Sequence, residues 1–316
     1  MSGTLDAQTI ATLRDGEAVD AVFACTRKQR LLTRAGDPYL ALELRDASGS
    51  LSARAFRDAD LLAGMFERGD LVRVRGRAER FRGELQLALE RIERVQLDER
   101  QAAQFLPVSR RDLDELEGFF EHLVREVYDP PLRALLDAIL SDEKLRTELR
   151  RAPCALPGSG LGSGQGSSPG AGAGGRAAAG GSVHHAFLGG LLEHTVAVGT
   201  LAIELYAVHP RLDRDLLLCA ALVHDIGKTR EYEYGAEISL SHEGRMLGHV
   251  ELGLRLIAAH APASLEGERR LALEHCVLTH HGERAGSQRP ASAEALALQR
   301  LNALDAGVKG AFERGL

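Results

Sequence analysis

From Glu17 to Val95 the chain alternates apolar and polar positions in short runs. Val19, Ala21 and Phe23 fall on one side of the first run, Tyr39, Ala41 and Leu42 to Leu44 follow, and then come Leu51, Ala53 and Ala55. A period of two is that of half-buried strands. AGDP at 35–38, DASGS at 46–50, ERGD at 67–70 and FRGE at 81–84 supply turn residues between the runs. In Leu71–Arg77, Val72 and Val74 point one way while Arg73, Arg75 and Arg77 point the other. Five strands, with a helix-compatible stretch near Ala59–Phe66 after the third, predict a small closed barrel.

After Pro107 the period changes. Leu113, Leu116, Phe119, Phe120, Leu123 and Val127 recur at three- and four-residue spacing, with Ser109 as the expected N-cap and Pro130-Pro131 as a break. Shorter amphipathic stretches follow at Leu132–Leu140 and Glu143–Leu149. Residues 157–181 are a Gly/Ser/Ala tract with too little apolar surface to fold, read as a flexible insertion. From Val183 onward the pattern is helical over Phe187–Tyr206, Asp213–Asp225, Gly244–His260, Glu266–His281 and Ala291–Val308, with an irregular stretch at 231–242. The expected architecture is multi-domain α+β: an N-terminal five-stranded OB-type β-barrel (1–100), a helical connector packing on the last domain (101–156), the Gly-rich insertion (157–183) and an all-α domain (184–316).

Composition adds little. The chain is 44% hydrophobic and 27% charged, which suits about two globular domains. The net charge of -6 does not mark a nucleic-acid binder, but the first 100 residues balance 17 basic against 17 acidic side chains, so the acidic excess lies entirely in the remainder. Bound divalent cations would offset it. Cys25, Cys154, Cys219 and Cys276 lie too far apart for a zinc ribbon or a disulfide framework and read as buried or incidental thiols. No signal segment or membrane-length apolar run is evident, and a soluble cytoplasmic protein is expected.

The histidines change the picture. Eleven of the twelve lie between His184 and His281, His122 being the exception. His224-Asp225 closes the apolar run LLLCAALV, where an unpaired carboxylate is expensive to bury and a metal-bound one is not. His194, His249, His280-His281 and Asp305 each sit near the end of a separate helical segment, so a bundle can converge them. Mixed imidazole and carboxylate ligation suits Mn, Fe, Zn or Mg. A lone histidine on an apolar helix face is usually a hydrogen-bonded core residue, the class assigned to His122, His209, His260 and His275; His242 reads as a surface residue. For His184 and His185 a role behind the ligands, a substrate contact and a helix cap stay open.

The strings HHAFLGGLLEHT, LVHDIGK, EGRMLGHVELG, THHGE and LDA, in that order, resemble the HD superfamily of metal-dependent phosphohydrolases. Within it the chain is most similar to the YhaM-like 3′-to-5′ exoribonucleases, which place an OB-fold before the HD domain. The resemblance implies His194, His224, Asp225 and Asp305 as core metal ligands and His249, His280 and His281 as ligands of a second metal. It also implies Lys228 near the substrate phosphate, and with His224 and Asp225 it forms the expected catalytic set. The chain departs from the family in the Gly-rich tract before the His-His pair, in Asn302 where many members carry a carboxylate, and in Gln288.

Two divalent ions about 3.5–4 Å apart would support in-line hydrolysis of a phosphate ester, with Lys228 compensating the developing charge. Neither a P-loop nor a Gly-x-Ser-x-Gly elbow is present. A barrel of this type suits single strands, with Tyr39 and Phe81 able to stack on bases and Arg73, Arg75 and Arg77 able to meet phosphates, while Phe23 and Phe56 are assigned to the barrel core. The expected substrate is single-stranded RNA, with DNA a further candidate and no membrane partner; homo-oligomerisation stays open. Two alternatives remain at this level: an HD hydrolase of cyclic dinucleotides, nucleotides or another small phosphoester, and a non-catalytic nucleic-acid adaptor.

Overall fold

The computed structural model describes residues 8–33, 35–96, 101, 103–156, 185–235, 237–282 and 289–313. The Gly-rich tract, His184 and Gln288 lie outside the described residues. The chain divides into two compact units, Met1–Pro107 with Tyr234–Ser239, and Val108–Glu233 with Leu240–Leu316.

In the first unit, β1 (Ala18–Leu32), β2 (Pro38–Asp46), β3 (Gly49–Ala55), β4 (Leu71–Phe81) and β5 (Glu84–Val95) close into a barrel in the order β1-β2-β3-β5-β4. A short helix, α1 (Ala59–Ala63), follows β3. All ladders are antiparallel except β3 with β5, where Ala53 faces Leu87. The predicted alternation holds in β1, β3 and β4, where Val19, Ala21, Phe23, Leu51, Ala53, Ala55, Val72 and Val74 fill the interior; in β2 it is corrected, because Leu40, Leu42 and Leu44 are the buried phase and Tyr39 and Ala41 lie on the other face. Gly76 sits at a register shift of β4, where a Cβ would stand 2.2 Å from the Ala88 carbonyl oxygen, so only glycine lets β5 come this close. Phe56 corrects the expectation of a core residue. The strand period turns Ala55 inward and leaves the next side chain outside, 55% exposed.

The second unit is helical: α2 (Leu113–Arg125), α3 (Pro130–Ser141), α4 (Glu143–Arg151), α5 (Gly190–Val208), α6 (Arg214–Val223), α7 (Lys228–Glu231), α8 (His242–His260), α9 (Gly267–Thr279) and α10 (Ala293–Glu313). Short polar residues start them. Asp112, Asp129, Asp142, Asp213 and Ser241 each accept backbone N–H groups of the first turn, contributing about 1 kcal/mol apiece. Ser109 is therefore not the cap of α2; its hydroxyl donates to Glu193 Oε2 at 2.7 Å. Helix α6 is buried at every position from Leu216 to Val223 and packs against α5, α9 and α10. Helix α5 is apolar and long enough by composition to cross a membrane, contrary to the sequence reading, yet its buried positions are those of a core helix and include Glu193 and His194. The stretch read as irregular holds two paired strands, β6 (Tyr232–Tyr234) and β7 (Ile238–Leu240). His122 and His209 are exposed rather than core, whereas His260 is bonded to the Leu256 carbonyl at 2.9 Å.

Candidate metal centre

Two helix ends build the middle of the site. His224 is the C-terminal cap of α6 and His280 that of α9. Each ring folds back so that Nδ1 donates to the carbonyl three residues earlier, Ala221 at 2.9 Å and Val277 at 2.5 Å. Those carbonyls lack helical partners, and binding them fixes the tautomer. Both Nε2 lone pairs then point away from the helices into a region faced by the negative ends of two helix dipoles.

Asp225 follows His224 and lies between two sets of donors. Its Oδ2 stands 3.3 Å from His224 Nε2 and 3.6 Å from His194 Nε2, and the two imidazole nitrogens are 3.2 Å apart. Its Oδ1 stands 3.5 Å from His249 Nε2 and 3.4 Å from His280 Nε2, while His249 Nε2 and His281 Nε2 are 2.7 Å apart. Donors sharing one ion at bonds of about 2.1 Å lie roughly 3.0–3.4 Å from one another, close to most of these separations. Asp225 Oδ1 and His280 Nε2 are buried with no hydrogen-bond partner among the described residues. Two acceptors facing each other without a proton between them fit a bound cation.

Of the seven sequence-predicted ligands, five, His194, His224, His249, His280 and His281, lie around Asp225 in this way. Asp305 meets the opposite nitrogen of His194: its Oδ2 is 2.6 Å from His194 Nδ1 and 3.1 Å from His185 Nε2, a third group able to hold a metal. Helix α10 continues past the predicted end to Glu313, so Asp305 sits in its interior.

Burial opposes ionisation of Asp225, but the Lys228 ammonium 2.7 Å from Oδ2 and the adjacent His224 outweigh it and hold the carboxyl well below the usual range. Burial lowers the Lys228 pKa and Asp225 raises it further than that, so the ammonium is retained. Burial pushes His194 and His280 down to about 4, leaving neutral rings suited to metal ligation.

Two contributors, Glu231 and Cys154, escaped the sequence reading, and a third, His185, was left open. Glu231 Oε1 accepts both the backbone N–H and Nδ1–H of His249, each at 3.1 Å. His185 is buried against Asp305, which favours the role behind the ligands among the three left open. Cys154, read as a buried or incidental thiol, is buried and has its sulfur 3.3 Å from Lys228 Nζ and 3.8 Å from Asp225 Oδ2. A carboxylate six residues beyond the His-Asp pair is a weak signal for Glu231, and nothing local marks Cys154. Glycines fix the spacing: a Cβ at Gly227 would lie 1.9 Å from the His249 carbonyl oxygen and 2.4 Å from Gly253 N.

On the barrel, Tyr39 stacks on Phe56 with ring centroids 5.3 Å apart. Phe81 is 44% exposed, with the Arg54 and Arg82 guanidinium groups 5.1 and 5.4 Å from its ring centre. The arginine row is partly neutralised: Arg73 and Arg75 share Asp20 at 2.7 and 2.8 Å, and Arg77 donates to the Gly16 carbonyl at 2.6 Å.

Residues 191–307 match the model of the HD domain, and residues 24–95 that of an OB-fold nucleic acid binding domain. The 3′-5′ exoribonuclease YhaM of Oceanobacillus iheyensis is 29% identical over 270 residues, 85% of this chain and 77% of that protein. The proteins of the same name from Halalkalibacterium halodurans and Bacillus subtilis are 26% and 27% identical, each over 92% of this chain and over 84% and 85% of their own lengths.

Proposed function

We propose that this chain, an OB-fold joined to an HD domain in the manner of the YhaM exoribonucleases, is a metal-dependent 3′-to-5′ exoribonuclease releasing nucleoside monophosphates from single-stranded RNA, with DNA a further candidate substrate. The observation that carries the reading is the sharing of one buried carboxylate, Asp225, between two imidazole sets. Two divalent ions held there would polarise a phosphoryl oxygen and lower the pKa of an attacking water.

The residues divide the work. His194 and His224 serve the ion on the Oδ2 side, and His249, His280 and His281 the one on the Oδ1 side. Asp305 holds the His194 ring in place through Nδ1. Lys228 is 6% exposed and engaged by Asp225 and Cys154, so it keeps the shared carboxylate charged rather than reaching the leaving oxygen. The donor set, rich in imidazole with a hard carboxylate, favours Mn, Fe or Zn over Mg. Tyr39, Phe56 and Phe81 offer base-stacking faces, with Arg54, Arg82 and the row Arg73, Arg75 and Arg77 meeting phosphates. A cytoplasmic location suits such a substrate.

The test is digestion of single strands labelled at either end, with added Mn. Stepwise shortening of a 5′-labelled RNA, with mononucleotide release from a 3′-labelled one, is expected. A version starting near Gln104 should still cleave short oligonucleotides at raised KM, because every ligand lies beyond it. Intact strands alongside cleavage of a cyclic dinucleotide would overturn the reading.

A further inference from the structure

We infer that Glu231 is the positioning residue that selects the second metal ion, the one on the Oδ1 side of Asp225. The inference rests on the two-ion reading above.

Helix α8 breaks one residue before His249, where Gly248 takes φ 71° and ψ 162°. In an unbroken helix the His249 N–H would bond to the carbonyl four residues back; the break releases it. Glu231 Oε1 receives that N–H at 3.1 Å, acting as an N-cap for the restarted helix. The same oxygen receives His249 Nδ1–H at 3.1 Å. One carboxylate oxygen thus fixes both the backbone and the ring, and the only free imidazole position is the Nε2 lone pair, directed at Asp225 Oδ1 and His281 Nε2.

Three of the other imidazoles of the centre do not depend on Glu231: His224 and His280 are oriented by helix carbonyls and His194 by Asp305. Loss of the carboxylate should therefore release His249 and, through their 2.7 Å contact, loosen His281, both on the Oδ1 side, and leave the Oδ2 side in place. The start of α8 does not need the side chain either, because it leans on the Glu231 backbone: a Cβ at Gly244 would lie 2.1 Å from the Glu231 carbonyl oxygen, and Ser241 N donates to that oxygen at 2.9 Å. Glu231 is 7% exposed, out of direct reach of a polymeric substrate.

Metal-free full-length protein, Glu231→Ala and Glu231→Gln are titrated with Mn²⁺ by calorimetry without RNA, and exchange-coupled Mn pairs are read by electron paramagnetic resonance. The native chain should bind two ions. Glu231→Ala should keep one ion within about twofold of native affinity and bind the other roughly 10- to 100-fold more weakly, with the coupled signal lost. Glu231→Gln keeps an oxygen acceptor and should fall between. Two ions of native affinity in Glu231→Ala, equal loss of both, or Glu231→Gln as impaired as the alanine variant would overturn the inference, as would a native chain that binds a single ion. A native chain that binds two ions but degrades no RNA would defeat the proposed function and leave the role of Glu231 standing.

Discussion

His194 and His224 aim their Nε2 atoms at each other across 3.2 Å, while the second nitrogen of each ring is engaged by Asp305 and by the Ala221 carbonyl. With both Nδ1 atoms protonated, two lone pairs meet, and a cation relieves the repulsion. Chelation should lower the melting temperature by several degrees and Mn should restore it, since an ion at 100 times its Kd stabilises by about 2.7 kcal/mol. Scanning calorimetry with and without chelator reads this; an unchanged melting temperature would count against a metal centre.

Asp225→Ala removes a donor from both sets at once, and His224→Ala from one. Each should lower hydrolysis on the order of 10⁴-fold or more while far-ultraviolet circular dichroism stays helical. Substantial activity at unchanged metal content would defeat the assignment.

Acid should destabilise the metal-free protein through His194 and His280. Both are held near 4 by burial and revert to an ordinary value of 6.5 on unfolding. Between those values the unfolded chain binds protons that the folded one lacks, so stability is complete above 6.5 and declines as pH falls. His281, which burial holds lower still, adds to the slope and carries the decline below 4. Three such groups give a slope of at most about 4.1 kcal/mol per pH unit, measurable by urea denaturation across this range.

Tyr39→Ala with Phe56→Ala should weaken binding to single-stranded RNA roughly 10- to 100-fold, with little change in salt dependence, because stacking and not charge is removed. Reversing Arg73 and Arg75 to Glu should weaken binding less and flatten its salt dependence. It should also lower the melting temperature, because Asp20, now paired with both arginines, would face two carboxylates. Fluorescence anisotropy over a salt series separates the two; a larger loss from the charge reversal would place the strand on the arginine row.

All four cysteines are buried, and burial pushes Cys154 and Cys276 up to about 12. Alkylating reagents at neutral pH should leave native protein unlabelled and modify four thiols after denaturation, as mass spectrometry would show. Rapid native labelling would mean that the core opens.

The candidate ligands His224 and His280 were legible because they stand in short strings at helix ends, where each needs only its own helix to be oriented, whereas Asp305 lies inside α10. The barrel was legible from its period of two. What escaped depends on distant parts of the chain meeting. The β1–β4 register, pairing Asp20 with Arg75, turns an apparently free arginine row into a shared ion pair. Glu231 and Cys154 gain meaning only when α8 and the turn after α4 close on Asp225. Phe56 was misassigned because a ring was expected to need burial, although the alternation that turns Ala55 inward puts the next side chain outside.

Gly227 and Gly253 face each other where the turn carrying Asp225 meets the helix carrying His249, and the room above Gly227 is less than one methyl group. Such a joint leaves mutation no gradual path. Every larger residue there must wedge the two ligand-bearing segments apart at once, so random mutagenesis selected for activity should recover surface and barrel changes freely while position 227 returns only glycine.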